Sequence, residues 1–272
     1  MAAIEIKNIK KTYRDITLGR DVEALKDMNI TIEEGDFVIF LGPSGCGKST
    51  LLNIIAGLIP HEPGGEVLVD GIKVTRPNPD KMAYMFQDSV LFPWRTCVKN
   101  VEFGLERKKM TKAERRERAL KYIKMVGLED FSRAYPRQLS GGMCQRTALC
   151  RALAMETEII LMDEPFGALD EQTRIILGDE LVDIWRKVGR TIVFVTHSLS
   201  EAVYLGERIL VFTARPGVIK ATFNVGIPRP RTLESIEFRA VVEKVWNELK
   251  EESLKAARRE KEVSEAEFMP LE

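Results

Sequence analysis

Apolar residues in this chain gather in short solid runs, each closed by a polar or glycine-bearing stretch, with helix-spaced patterns between them. Phe37–Leu41, Glu158–Met162 and Thr191–Val195 have the length and β-branched or aromatic content of buried strands. Residues 4–10 and 28–32 read as strands of a leading antiparallel hairpin around a polar connection, 14–24. Glu66–Val69 and Met82–Phe86 read as strands on either side of a Pro/Asn/Asp loop. Ile209–Thr213 is a further strand, and the Pro216-Gly217 turn predicts a hairpin partner at 218–225.

Between these runs the period changes. From about residue 97 to 153 the pattern is helical, and Lys112–Val126 can place Ala113, Ala119, Leu120, Ile123 and Val126 on one face. A second helix should start near Ser140, because serine is a good N-cap. Gln172–Val188 reads as a helix stopped near Gly189, and Pro228-Arg229-Pro230-Arg231 breaks the chain. Beyond that break Phe238, Val241, Val242, Val245, Trp246 and Leu249 are spaced for one amphipathic helix that docks on the body. The mostly charged residues 250–267 predict a fraying helix or disorder. Strands alternating with helices give an α/β class with a parallel sheet.

Composition narrows the function classes. Lys+Arg and Asp+Glu both number 41, so no charge imbalance points to nucleic acid or an anionic membrane. The charged run Glu106–Arg118 interleaves acids with bases and lacks aromatics, which fits a solvated helix face. No signal segment opens the sequence, and no apolar run approaches the roughly 20 residues of a spanning helix. Four cysteines without a C-x-x-C pair fit reduced thiols, and two histidines exclude a histidine-rich metal centre.

The chemistry starts where Phe37–Leu41 opens into Gly42-Pro43-Ser44-Gly45-Cys46-Gly47-Lys48-Ser49-Thr50, a strand, a loop and then a helix start. This is the spacing of a P-loop: glycines let backbone N–H groups and a helix N-terminus surround a polyphosphate. Lys48 supplies a charge to the outer phosphates, and the Ser49 hydroxyl can ligate Mg2+. Two more apolar strands end in reactive residues, Asp163-Glu164 and His197. In an open parallel sheet such ends gather at one edge. Asp163 suits a metal-holding carboxylate, and Glu164 a base or water-positioning group. His197 is a neutral-pH hydrogen-bonding group able to contact a terminal phosphate, and Tyr13 an aromatic able to stack on a purine or simply to pack.

Leu139-Ser140-Gly141-Gly142, together with Gln87 and with Asp170 in Phe166-Gly167-Ala168-Leu169-Asp170, makes the chain resemble the ATPase subunit of ABC transporters over roughly residues 4 to 225. The resemblance implies a P-loop NTPase (RecA-like) core with a parallel sheet and an N-terminal antiparallel β subdomain. It also implies an α-helical subdomain inserted at about 91–153 of an ATPase domain spanning 1–225, before a helical tail, 226–272. It implies ATP and Mg2+ as cofactors, with Tyr13 stacking on adenine and Gly42 to Thr50 as Walker A. Gln87 would be the Q-loop glutamine sensing Mg2+ and the membrane subunit. Asp163 and Glu164 would be the Walker B pair, Asp170 the D-loop aspartate and His197 the switch histidine. Ser140 and the Gly141 and Gly142 amides open a helix, which makes an anion site. In the family that site faces the ATP of the opposing subunit.

The implied partners are therefore a second ATPase subunit, expected to be an identical copy, separate transmembrane permease subunits and an extracytoplasmic solute-binding protein, with no nucleic acid. The implied location is peripheral, on the cytoplasmic face of the cell (inner) membrane. Met143 stands where the family usually has Gln, which keeps the helix but removes a polar contact. Such a substitution is familiar among importers of nitrate, sulfonate, taurine and bicarbonate type. Met85–Asp88, Leu91–Thr96, Phe166–Arg174, Ala214–Gly217 and Pro228–Arg231 resemble that branch too. Thiamine-precursor and aromatic-acid importers share much of this wording, and a lipid-transport ATPase is a further alternative. Competing classes are a soluble nucleic-acid-associated ABC ATPase and a small-molecule P-loop kinase. The former usually has tandem cassettes or long coiled coils, and the latter lacks the signature segment. The tail after Leu233 is shorter than the regulatory domains some relatives carry.

Two expectations concern single side chains. Leu91-Phe92-Pro93-Trp94 is too apolar for a loop with no partner, and should lie beneath a coupling helix of a membrane subunit unless Trp94 packs within the helical subdomain. Cys46, near a helix N-terminus that favours thiolate, should make the ATPase sensitive to thiol reagents, unless a small residue merely fits there.

Overall fold

The computed structural model describes residues 2–15 and 20–267. In chain order the strands and helices are β1 (Ala2–Asp15), β2 (Arg20–Glu33), β3 (Phe37–Leu41), α1 (Lys48–Ile55), β4 (Glu66–Val69), β5 (Ile72–Lys73), β6 (Met82–Met85), α2 (Cys97–Leu105), α3 (Lys112–Met125) and α4 (Gly141–Ala154). They continue with β7 (Ile159–Asp163), α5 (Glu171–Val188), β8 (Thr191–Thr196), α6 (Leu199–Leu205), β9 (Arg208–Phe212), β10 (Ile219–Asn224) and α7 (Ile236–Glu267). The chain forms two compact units, Met1–Pro77 with Val195–Glu272, and Asn78–Phe194.

In the first unit β1 and β2 form a hairpin much longer than its apolar pattern predicts. Cα pairing runs from Ala2↔Glu33 through Tyr13↔Val22 to Asp15↔Arg20. The polar outer half pairs because backbone hydrogen bonds do not require apolar side chains, and irregularities in register bend it. Asn8 and Asp27 sit at positive φ, 51° and 47°, beside such irregularities, where Asn and Asp tolerate the left-handed region best. Of the expected 14–24 connection, residues 16–19 lie outside the described residues. This hairpin belongs to a four-stranded sheet, β2-β1-β4-β5. The same unit holds β10-β9-β3, with β3 parallel to β9 and β9 antiparallel to β10. The sheet is therefore mixed, not purely parallel. All five residues of β3 are buried, as a strand covered on both faces requires.

Past β10, the Pro228–Arg231 segment does more than break the chain. The Arg231 side chain is fully buried and donates to the carbonyls of Val203 (2.9 Å), Tyr204 (3.1 Å) and Gly206 (2.6 Å). Arg229 reaches the Tyr204 carbonyl (3.1 Å). These are carbonyls that a helix C-terminus leaves unpaired, so two guanidinium groups close the end of α6 and sit at its negative pole. Burial pulls the Arg231 pKa down to about 10, with Arg229 adding to the effect and Glu207 opposing it.

Helix α7 buries Phe238, Val245 and Leu249 as expected, half-buries Val241 and Val242, and leaves Trp246 46% exposed. It continues to Glu267, so of the two expectations for residues 250–267 the helix is the one observed.

In the second unit the strand order is β8-β7-β6, and β6 runs parallel to β7 with Met82↔Ile159 and Met85↔Met162 in register. Helix α3 starts with a reciprocal capping box between Thr111 and Glu114. Ala119, Tyr122 and Ile123 are buried on it and Val126 at its C-cap, whereas Leu120 is half-buried and Ala113 is exposed.

Candidate functional site

The phosphate loop is built by β3, which delivers the chain into a turn that only glycines complete without strain. Gly45 and Gly47 adopt φ of 68° and 103°. Gly47 then serves as N-cap of α1 without a side-chain cap, which keeps the helix entrance clear of side-chain oxygens. Lys48 is buried, and its Nζ donates to the carbonyls of Gly42 (2.8 Å) and Pro43 (2.7 Å), so the ammonium lies within the loop. Ser49 and Thr50 follow in the first turn of α1, half-buried, while Ser44 and Gly45 are exposed at the loop tip.

Of the two expectations for Cys46, the structure favours the small residue that fits its place. It is 1% exposed, and burial pushes its thiol above the ordinary range even though Lys48 Nζ lies 3.8 Å from the sulfur and favours thiolate. Desolvation outweighs the nearby charge here, so the residue is a small packed thiol.

Tyr13 and His197 also belong to the first unit. Tyr13 is on β1 and 43% exposed, with Lys11 Nζ 5.2 Å from its ring centroid. His197 follows the end of β8 and is exposed.

The carboxylates belong to the second unit. Asp163 is the buried last residue of β7. Tyr84 pairs with Leu161 across the β6–β7 register, so Tyr84 and Asp163 lie on one face of the pair. The Tyr84 hydroxyl is buried, and burial first, then the Asp163 carboxylate, push its pKa up. Glu164 adopts φ 44°, a left-handed conformation uncommon outside glycine, which swings the chain sharply off the strand end.

Gln145, which the sequence reading passes over, holds that turn. Its Nε2 donates to the Glu164 carbonyl (3.3 Å), and its Oε1 accepts from the Ala168 N–H (2.8 Å). The one visible signal was a Gln on the buried side of α4, where a polar group needs partners.

Helix α4 itself opens on the signature segment. Ser140 caps it, accepting from the Met143 N–H (3.2 Å), and both Ser140 and Gly141 are exposed. A Cβ at Gly141 would meet nothing within 4 Å, whereas one at Gly142 would lie 3.3 Å from Leu169 Cδ2 and 3.4 Å from the Ala168 carbonyl. Asp170 caps α5, accepting from the Thr173 N–H (2.9 Å) and hydroxyl (2.7 Å), and those bonds hold its carboxyl below the usual range. Gln87 is exposed, two residues beyond β6.

Near Gln87 the loop 91–96 is held from within. Buried Asn100 accepts from the Phe92 N–H (2.7 Å) and donates to the carbonyls of Phe92, Arg95 and Thr96. Trp94 stands 71% exposed on this rigid loop, its ring centroid 5.6 Å from that of Phe92. It is not packed into the helical region.

Among the described residues no group of three His, Cys, Asp or Glu side chains could hold a metal. The Asp163 carboxylate and the Ser49 hydroxyl each carry a hard oxygen of the kind Mg2+ favours.

The ABC transporter family model matches residues 25–167. An uncharacterized ABC transporter ATP-binding protein of Methanocaldococcus jannaschii is 52% identical over 254 residues, 93% of each chain. A nitrate import ATP-binding protein of Synechocystis is 47% identical over 225 residues, 83% of each chain. The chain also matches a solved ATP-binding cassette, captured as a dimer in a post-hydrolysis state bound to ADP and Pi, with a TM-score of 0.75 and 39% identity over 83% of this chain and 100% of that one. With its glycine-built phosphate loop and its strand-end carboxylates, the chain belongs to the ABC transporter family and is one of its ATP-hydrolysing subunits.

Proposed function

We propose that this subunit powers import of a small solute, an anion of the nitrate, sulfonate, taurine or bicarbonate kind, through separate permease subunits fed by a solute-binding protein. It does so as a dimer of identical chains, peripheral to the cytoplasmic face of the membrane. The reading rests first on the phosphate loop with Lys48 buried inside it. Likeness to a nitrate import subunit and to a dimeric cassette supports the solute class and the pairing. No helix among the described residues is long and apolar enough to cross a membrane.

The chain's own groups divide the work. The loop N–H groups and the N-terminus of α1 hold the polyphosphate, and Lys48 neutralises its outer charge. Tyr13 presents an exposed ring to adenine. Ser49 and Asp163 offer oxygens to Mg2+, which, when bound, supplies charge neutralisation on the phosphates. Gln87 senses that ion. Glu164 takes the proton of the attacking water, and its angular setting is kept by Gln145. His197 steadies the terminal phosphate. Ser140, Gly141 and Gly142 offer a second helix N-terminus to the nucleotide of the partner copy, beside its D-loop region carrying Asp170.

Glu164→Gln tests the catalytic part. Hydrolysis should fall by at least about a hundredfold with ATP binding retained, and a stable dimer should accumulate in ATP by size-exclusion chromatography. Wild-type turnover would remove Glu164 as the base. Trp94 tests the permease part, because an exposed indole on a rigid loop is a docking anchor of the kind found at interface centres. Trp94→Ala should lose membrane association while binding ATP normally, and unchanged transport would overturn docking there.

A further inference from the structure

The turn after β9 makes a set of contacts with the phosphate loop and β2 that lie outside the groups assigned to catalysis. Thr213 closes this turn, its hydroxyl donating to the Pro216 carbonyl (2.8 Å) and accepting from the Val218 N–H (2.9 Å). The turn is fastened to β2 by Gly217, whose N–H donates to the Ala24 carbonyl (2.9 Å) and whose carbonyl accepts from the Lys26 N–H (3.1 Å). Two consecutive peptides of the phosphate loop then rest on it. Arg215 Nε donates to the Gly45 carbonyl (3.2 Å). The Cys46 carbonyl lies so close to Gly217 that a Cβ there would be 2.3 Å from it.

A trans peptide points its C=O and the following N–H in opposite directions. Drawing the Gly45 and Cys46 carbonyls toward the turn therefore turns the N–H groups of Cys46 and Gly47 away from it. The turn is in its turn fixed by α7. Buried Glu252 accepts from the Ala214 N–H (2.9 Å) and pairs with Lys255 (2.8 Å) and Lys220 (3.3 Å), and Arg259 donates to the Arg215 carbonyl.

We propose that the Thr213–Val218 turn, backed by α7, is a positioning device for the phosphate loop, with Arg215 as the positioning residue and Glu252 as the anchor that carries α7's position to it. Its ligand is the nucleotide polyphosphate, and the inference rests on the reading of Gly42–Thr50 as the phosphate site. Because Arg215 is exposed and touches the loop through one carbonyl, it contributes to loop geometry far more than to folding.

Calorimetric titration of the full chain with ATP tests this, alongside steady-state kinetics and thermal unfolding without nucleotide. Arg215→Ala should weaken ATP binding about fivefold to tenfold, the loss of one charge-assisted hydrogen bond. It should raise KM in step, leave kcat within about twofold, and leave the melting temperature nearly unmoved. Arg215→Lys, which keeps a cationic donor, should recover most of the affinity. Glu252→Ala should weaken ATP binding in the same direction, with Glu252→Gln closer to wild type because its amide oxygen still accepts from Ala214.

Arg215→Ala with wild-type affinity overturns the positioning role, and Glu252→Ala that lowers only the melting temperature overturns the anchor. Lys48→Ala is the control for the underlying reading. Loss of binding there with an unaffected Arg215→Ala condemns the device alone, whereas wild-type binding by Lys48→Ala condemns the phosphate-site reading and the device with it.

Discussion

Gly47 and Gly141 stand at the mouths of two helices, α1 and α4, and both helix entrances suit an anion, yet their surroundings are opposite. A Cβ on Gly47 would lie 2.7 Å from both the Ala24 carbonyl and Leu25 Cδ2, at a φ of 103°. A Cβ on Gly141 would meet nothing. Around α1 the chain supplies everything: a lysine inside the loop, packing beneath it and a turn behind it. Around α4 it supplies a serine cap and then stops. The difference lies in what completes each site. Gly47 is glycine because its own chain leaves no room, which is a folding constraint. Among the described residues no neighbour demands glycine at Gly141, and under our proposal its small size leaves room for the nucleotide on a partner copy.

Substituting alanine at each position separates the two meanings. Gly47→Ala must adopt an unfavourable φ and push against backbone, and should cost about 2–4 kcal/mol of stability in denaturant unfolding, together with ATP binding. A normally stable, ATP-binding Gly47→Ala chain would show that the loop is not held as tightly as its contacts indicate. Gly141→Ala should leave stability unchanged or slightly higher, because alanine suits a helix better than glycine. ATP binding to the single chain should also be unaffected, while hydrolysis by the assembled dimer falls by about tenfold or more, since a methyl group then stands where a phosphate oxygen should approach. Hydrolysis at the wild-type rate would erase the contrast and leave the signature segment without a partner-facing role.

The sequence made one side of this contrast legible and hid the other. Phe37–Leu41 is a solid apolar run and Gly42–Ser49 a local pattern, so the strand, loop and helix of the phosphate site follow from neighbours along the chain. Asp163 and Glu164 were equally readable as the end of such a run. What stayed hidden depends on residues far apart in sequence. Gln145 matters because it spans Glu164 and Ala168, Arg231 because it reaches the end of α6, and Glu252 because the Ala214 N–H lies beside it. A charged residue in a charged stretch carries no mark of being buried. The outer half of the hairpin escaped for a related reason: Lys11 to Asp15 have no apolar alternation, and their pairing is carried by backbone.

Cys46 offers the smallest test, and it probes how closed the first site is. Proximity to a helix N-terminus and to Lys48 predicts a reactive thiolate, and burial predicts the reverse. Burial prevails in the structure, so at neutral pH the thiolate fraction is depressed and the sulfur is shielded. Half-buried Cys144 is less enclosed, although burial raises its thiol as well. Timed alkylation near pH 7.5 with mass mapping should label Cys144 ahead of Cys46, and denaturant should abolish the order. Raising pH should speed Cys46 labelling only modestly, because ionisation of an enclosed sulfur does not open a path to it. Labelling of Cys46 as fast as an unfolded thiol would mean that the phosphate loop opens readily in solution. The two helix mouths would then differ less than their contacts indicate.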